Sequence, residues 1–212
     1  VFQVPGKRTT GGGAQNWVEV VNSSASSITV SARFFAQNGQ PLRDELSIPI
    51  APHSQRHVNA SALLGPNASG LVRFASSTPH SLLAHSLFYF YAADGSIESM
   101  YGTRALPIAG TDLAGSYNLF LEMYNWLKVS NPTSVPATAR ILVHTASGIR
   151  EEQHLLAPYS TLELPLHDSA RFGTVADSYG LVEVKGANLI AQLLRIRPLG
   201  IGFDFVFPTE VH

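Results

Sequence analysis

The chain has 212 residues, 14 Lys+Arg against 15 Asp+Glu, and no cysteine. The near-neutral balance gives no basic footprint for nucleic acid or an anionic membrane surface, and the missing cysteines exclude disulfides, thiolate zinc sites, iron–sulfur clusters and cysteine nucleophiles. With 45% hydrophobic residues the chain can build a core, and at ~100–200 residues per domain it makes one large domain or two small ones.

In chain order, Val1-Phe2-Gln3-Val4-Pro5 lacks an initiator Met and the pattern of a signal peptide, and reads as either a trimmed start or a processed, mature one. Gly6 to Gly13 is glycine-rich but lacks the spacing of a phosphate loop and opens no helix, so it reads as a flexible segment. Asn16-Trp17-Val18-Glu19-Val20-Val21-Asn22 reads as a strand with Val18 and Val20 on one face and Trp17 and Glu19 on the other. Ile28, Val30, Ala32, Phe34 and Ala36 alternate with Thr29, Ser31, Arg33 and Phe35, a second strand that Asn38-Gly39 closes with a hairpin turn. Leu82 to Tyr91 is apolar on both faces, as in a central strand, and Asp94-Gly95 marks another hairpin. The apolar stretch from Leu82 to Ala93 is interrupted by His85 and Ser86, well short of the ~20 residues of a membrane-spanning helix, so an integral membrane protein is not expected. Pro107 to Gly115 is small and turn-rich, and residues 109–115 are predicted to be a linker. Beyond it, Phe120, Glu122, Tyr124, Trp126 and Lys128 fall in one row if the strand holding Trp126 extends backwards. Ala139, Ile141 and Val143 then alternate with polar neighbours up to the turn at Ser147-Gly148, and Pro198-Leu199-Gly200 sits where Asp94-Gly95 does in the first half.

The landmarks recur in order. Asn16 to Asn22 matches Asn125-Trp126-Leu127-Lys128-Val129-Ser130-Asn131, Ala51-Pro52-His53-Ser54 matches Ala157-Pro158-Tyr159-Ser160, Gly70-Leu71-Val72 matches Gly180-Leu181-Val182, and Leu82-Leu83-Ala84 matches Leu189-Ile190-Ala191. A duplication with short loop insertions explains the pattern. The expected fold is therefore all-β: a tandem of two similar antiparallel β-sandwich domains, residues 1–108 and 116–212, with about seven strands each.

Trp17, Phe120, Tyr124 and Trp126 are the candidate ligand-binding residues. An aromatic row beside charges on a sheet face is either a platform for sugar rings or a partner's apolar patch, or a contact packed between the copies or under loops. His53 and His57, His80 and His85, and His144 and His154 form pairs that do not recur between copies, so no metal site is assigned. Arg43-Asp44-Glu45 and Arg150-Glu151-Glu152 follow matching turns, but adjacent carboxylates on a strand point to opposite faces. No Gly-x-Ser-x-Gly elbow is present, and Asn22, Asn59 and Asn67 begin formal glycosylation sequons that a Ser/Asn-rich chain produces by chance.

Val18-Glu19-Val20-Val21-Asn22, Ile48-Pro49-Ile50-Ala51-Pro52 and Pro79-His80-Ser81-Leu82-Leu83-Ala84-His85 give copy one an order of strands and turns that resembles the single β-sandwich of the bacterial sensory-rhodopsin transducer and related sandwich domains. The resemblance covers most of one copy. It implies a small sandwich that binds or assembles rather than catalyses; the fused tandem departs from it and could replace a family dimer with an intramolecular pair.

The reading that follows is a non-enzymatic bacterial module without cofactor that binds a protein or glycan partner or takes part in a surface assembly, with homo-oligomerisation open. A surface rich in Ser, Thr, Asn and Gln, with only Lys7, Lys128 and Lys185 as lysines, points to a place outside the cytoplasm. Two alternatives stand beside it. One is a glycan hydrolase whose carboxylates (Asp44, Glu45, Glu151 and Glu152, with His154) converge from different strands; the other is an intracellular oligomeric ligand sensor of the transducer kind.

Overall fold

The computed structural model describes residues 2–3, 13–64, 68–106, 109–199 and 202–212. The chain is all-β, built from antiparallel sheets with two short helices, and divides into unit 1, Val1–Ala105, and unit 2, Leu106–His212.

Unit 1 contains β1 (Phe2–Gln3), β2 (Gly13–Asn22), β3 (Ile28–Ala36), β4 (Leu46–Ile50), β5 (Gln55–Asn59), α1 (Ala60–Leu64), β6 (Ser69–Ser76), β7 (Leu82–Tyr91) and β8 (Ile97–Arg104). One sheet has the order β1-β6-β3-β4 and the other β5-β2-β7-β8. Alternation decides which face goes inward. Val18 and Val20 from one sheet meet Ile28, Val30, Ala32, Phe34, Ile48, Ile50 and Val72 from the other in one buried cluster. Each of the valine, isoleucine and phenylalanine side chains contributes roughly 1.5–3 kcal/mol on leaving water. Gly39 (φ 85°) and Gly95 (φ 84°) make the hairpin turns expected at Asn38-Gly39 and Asp94-Gly95. Phe35 departs from the strict alternation: it is buried on the polar face of β3, with the Arg33 guanidinium 5.4 Å above its ring.

Unit 2 contains β9 (Gly110–Asn118), β10 (Tyr124–Ser130), β11 (Ala137–Thr145), β12 (Gly148–Leu156), β13 (Thr161–Pro165), α2 (Ser169–Phe172), β14 (Tyr179–Leu199) and β15 (Gly202–Val211). At 21 residues, β14 serves both layers. Its first part pairs with β9 and β11 and its last part with β10 and β15, with β12 and β13 at the outer ends. The pairing with β9 is irregular between Lys185 and Leu189, where Gly186 (φ 154°) and Asn188 (φ 59°) turn the strand from one layer to the other. Leu127, Val129, Ile141, Val143, Val182, Val184, Leu189 and Leu193 meet in the core between the layers.

The two units use the same registers. Trp17 pairs across to Asn59 and Leu87, and Trp126 to Pro165 and Leu194. Phe34 faces Val72 as Val143 faces Val182, and Ile28 faces Ile50 as Ala137 faces Leu156. Among the described residues, β1 pairs with β6 over Phe2–Gln3, and β9 pairs with β14 over most of its length.

Two expectations are corrected. The seam falls at Ala105/Leu106, and the predicted linker, residues 109–115, lies almost entirely in β9, where alternate residues Leu113, Gly115 and Tyr117 pair with β14. Small residues read as linker because the strand packs close: a Cβ on Gly115 would press on Val211. The strand holding Trp126 does not extend backwards to Phe120, because Phe120–Glu122 form a tight helical turn with Leu121 at φ 58°, ψ 37°. The glycine-rich stretch before Gly13 and the turn at Gly200 lie outside the described residues.

Candidate functional site

The aromatic candidates separate. Trp17 sits on β2 opposite the buried face of Val18 and Val20, partly buried, its Nε1–H donating to Gln15 Oε1 at 3.0 Å. It belongs to unit 1, while Phe120, Tyr124 and Trp126 belong to unit 2.

In unit 2 the aromatics gather around a side chain not singled out in the sequence. The His167 ring lies parallel to Tyr124 (centroids 4.4 Å, 8°) and takes Trp126 at its edge (5.3 Å, 68°). His167 Nδ1 is 3.2 Å from the Asn125 carbonyl, which can only accept, so this nitrogen carries the proton and the ring is held in one orientation. Tyr124 thus keeps one π face on His167 and remains 45% exposed.

The loop before β10 is laced to the loop after α2. The Leu119 N–H donates to the Ser178 carbonyl at 2.7 Å, and the Leu121 N–H to Asp177 Oδ1 at 3.1 Å. Asn125, fully buried, donates from Nδ2 to the Asn118 carbonyl at 2.6 Å and accepts the Asn118 N–H at Oδ1, 3.0 Å. Leu121 and Glu122 both hold positive φ, 58° and 59°, a conformation that costs a non-glycine residue roughly 1–2 kcal/mol. The result is a tip that offers apolar groups to solvent: Leu121 is 61% exposed and Tyr179 73%, with Phe120 stacked on Tyr179 at 5.9 Å and Val175 exposed on the neighbouring loop. Strain that presents an apolar side chain outward is the pattern of a contact site.

The carboxylates do not converge in this way. Glu151 takes a two-pronged bond from Arg140 (2.5 and 2.6 Å), and Glu152 takes one from Arg171 of α2 (2.6 and 2.7 Å) with His154 Nε2 2.8 Å away. The arginine bonds, above all, hold both carboxyls below the usual glutamate range, which suits ion pairing and not proton donation. Glu45 lies 3.8 Å from Arg33 in unit 1, and Asp44 is exposed beside it. His57 Nε2 reaches Glu19 at 3.2 Å, while His53 sits in the turn before β5. Among the described residues no three or more His, Asp or Glu side chains gather as metal ligands would.

Of the sequons, Asn22 is fully buried with its amide bonded to three carbonyls and is not presented for modification, while Asn59 is partly buried and its Oδ1 accepts the Ala62 N–H at the start of α1. Asn67 lies outside the described residues.

His167 carried no signal in the sequence: its place follows from the pairing of β10 with β13, which sets Pro165 opposite Trp126 and brings His167, two residues on, beside Tyr124. Asp177, Leu121 and Tyr179 had none, since their roles depend on how two loops meet. No protein-family model and no curated protein matches the chain.

Proposed function

We propose that this chain is a non-enzymatic, extracytoplasmic binding or surface-assembly module, a duplicated pair of β-sandwich domains that holds a protein or glycan partner at the tip of unit 2. The observation that carries the reading is the exposed cluster of Phe120, Leu121, Tyr124 and Tyr179 on a backbone that Asp177 and Asn125 keep in a strained shape. Tyr124 supplies a flat ring with a backed π face, and Leu121 and Tyr179 supply apolar area, which is what sugar rings and protein patches both require. The duplication is supported by matching registers in the two units. The arginine-bound glutamates favour this reading over a glycan hydrolase, which needs one carboxyl kept protonated.

The test uses Trp126 as reporter in a Trp17→Phe background, titrating the full chain with a panel of soluble polysaccharides and solubilised envelope proteins. The expected result is a fluorescence shift with one ligand, with affinity at least roughly tenfold weaker in Tyr124→Ala and Leu121→Ser variants that melt normally. A spectrum that no ligand moves, or binding untouched by both variants, overturns the proposal.

A further inference from the structure

The outer edge of unit 2 is β12, and it has the features that edge strands ordinarily avoid. It runs nine residues, Gly148–Leu156, without proline. Its pairing with β11 is unbroken, from Ala137 opposite Leu156 to Thr145 opposite Gly148. Among the described residues no strand lies on its other side. The last strand, β15, ends across the sheet from it, with His212 beside Ala114 of β9, which flanks β14 on the side away from β11. A regular edge of this length is a template for another strand.

Unit 1 blunts the same edge. There β4 is five residues long, and Pro41 forms the bridge with Phe35 beyond it. The register that sets Ile28 opposite Ile50, as Ala137 is set opposite Leu156, puts Pro49 where Leu155 stands in unit 2. A proline has no N–H to give, so it fits in β4 only because its position turns away from β3. By the same register, Leu155 turns its N–H and C=O away from β11, and so do Gln153, Glu151 and Ile149 at alternate positions. Leu155 is 77% exposed and Ile149 56%, so the outward groups are accompanied by apolar side chains that nothing covers.

These positions match their own reverse. In an antiparallel two-fold pair centred on Glu152, Ile149 lies opposite Leu155 of the second copy, and Glu151 lies opposite its Gln153. Each such pair exchanges two main-chain hydrogen bonds, about eight in all. Moving the centre to Glu151 sets Ile149 against Gln153 and leaves Leu155 unpaired, and moving it to Gln153 leaves Ile149 unpaired. Charge does not oppose the pairing. Within each copy Arg140 holds Glu151 and Arg171 holds Glu152, so the carboxylates that face one another at the centre arrive neutralised.

We propose that β12 is a homodimer edge: two copies of this chain join through Gly148–Leu156 in an antiparallel pair centred on Glu152, so that the sheet of one unit 2 continues into that of the other. Main-chain hydrogen bonds supply the attachment, as in strand addition to other sheet edges, and Ile149 with Leu155 supplies apolar contact on one face. This surface is separate from the tip of unit 2 and does not rest on the function proposed for it.

The test is the mass of the full chain in solution, read by sedimentation equilibrium. The expected result is a rise to twice the chain mass between roughly 1 and 200 μM. Leu155→Pro, which places in β12 the residue that unit 1 carries in that register, should melt as the parent does and stay at single-chain mass. The chain has no cysteine, so Glu152→Cys reads the register. Under a mild oxidant it should cross-link at least roughly tenfold faster than Arg150→Cys, whose side chain lies opposite His154 of the second copy and not opposite itself. A parent at single-chain mass throughout, a doubling that Leu155→Pro leaves in place, or equal cross-linking of the two cysteine variants overturns the proposal. So does loss of the dimer in Leu121→Ser, because the tip would then be the contact.

Discussion

Asn22 and Asn131 make the same set of hydrogen bonds, each within its own unit. Asn22 Nδ2 donates to the carbonyls of Ser26, Ile50 and Ala51 at 2.7, 3.3 and 3.0 Å, and Oδ1 accepts from Ser24 N–H and Oγ–H. Asn131 Nδ2 donates to Val135, Leu156 and Ala157 at 2.7, 3.4 and 3.0 Å, and Oδ1 accepts from Thr133 N–H and Oγ1–H. Each asparagine ties the end of one strand to the corner leading from β3 or β11's partner strand, a buried junction that alanine cannot satisfy. Asn22→Ala and Asn131→Ala are each expected to cost about 2–4 kcal/mol, confined to the unit that carries the change. Denaturant unfolding checks this, since Trp17 reports on unit 1 and Trp126 on unit 2. A loss under about 0.5 kcal/mol in both would remove the asparagines from the account of stability.

Leu121 tests whether strain at the tip serves contact. Glycine tolerates φ 58°, ψ 37° without a Cβ clash, so Leu121→Gly should stabilise unit 2 by about 0.5–1 kcal/mol once the looser unfolded chain is allowed for. The same change removes an exposed apolar side chain and should weaken partner binding. Thermal melts read the first effect and the Trp126 titration the second.

Glu152 predicts a pH dependence. The Arg171 bond holds its carboxyl below the ordinary glutamate value of 4.5, so the folded state favours the ionised form. Its stabilisation is fully present above the unfolded value and is lost as pH falls through the lower folded value. Glu152→Gln should therefore cost about 0.5–1 kcal/mol at pH 7, and the gap from the parent should close in the acid range below 4.5. A gap constant from pH 7 to pH 3, read by urea midpoints, would contradict this.

Gly70 and Gly95 separate two reasons for glycine. A Cβ on Gly70 (φ 152°) would overlap the Phe35 carbonyl oxygen, whereas one on Gly95 (φ 84°) meets nothing within 4 Å. Gly70→Ala should cost about 3 kcal/mol or more, because backbone must move, and Gly95→Ala only about 1 kcal/mol for the left-handed turn. Equal losses in the two variants would show that conformation alone, without close approach, governs Gly70.

Much of the fold was legible as local chemistry. Alternation at Ile28 to Phe34 and Ala139 to Val143 set which side of each strand is buried, and Asn38-Gly39 and Asp94-Gly95 marked turns, because period and turn preference act over a few residues. The linker reading of residues 109–115 failed because Gly110 to Gly115 lie in a strand: β9 pairs with β14, and Gly115 is small where a Cβ would press on Val211 of β15, partners far away in the sequence. The aromatic row failed because Asp177 and Asn118 capture the backbone of Phe120 and Leu121 out of the extended form. The sequence by itself determined the strand class, the inward faces and most turns, since these follow from the chemistry of neighbours along the chain. Only the tertiary structure decided which carboxylates arginines neutralise and that His167 backs Tyr124, since each depends on groups brought together from distant positions.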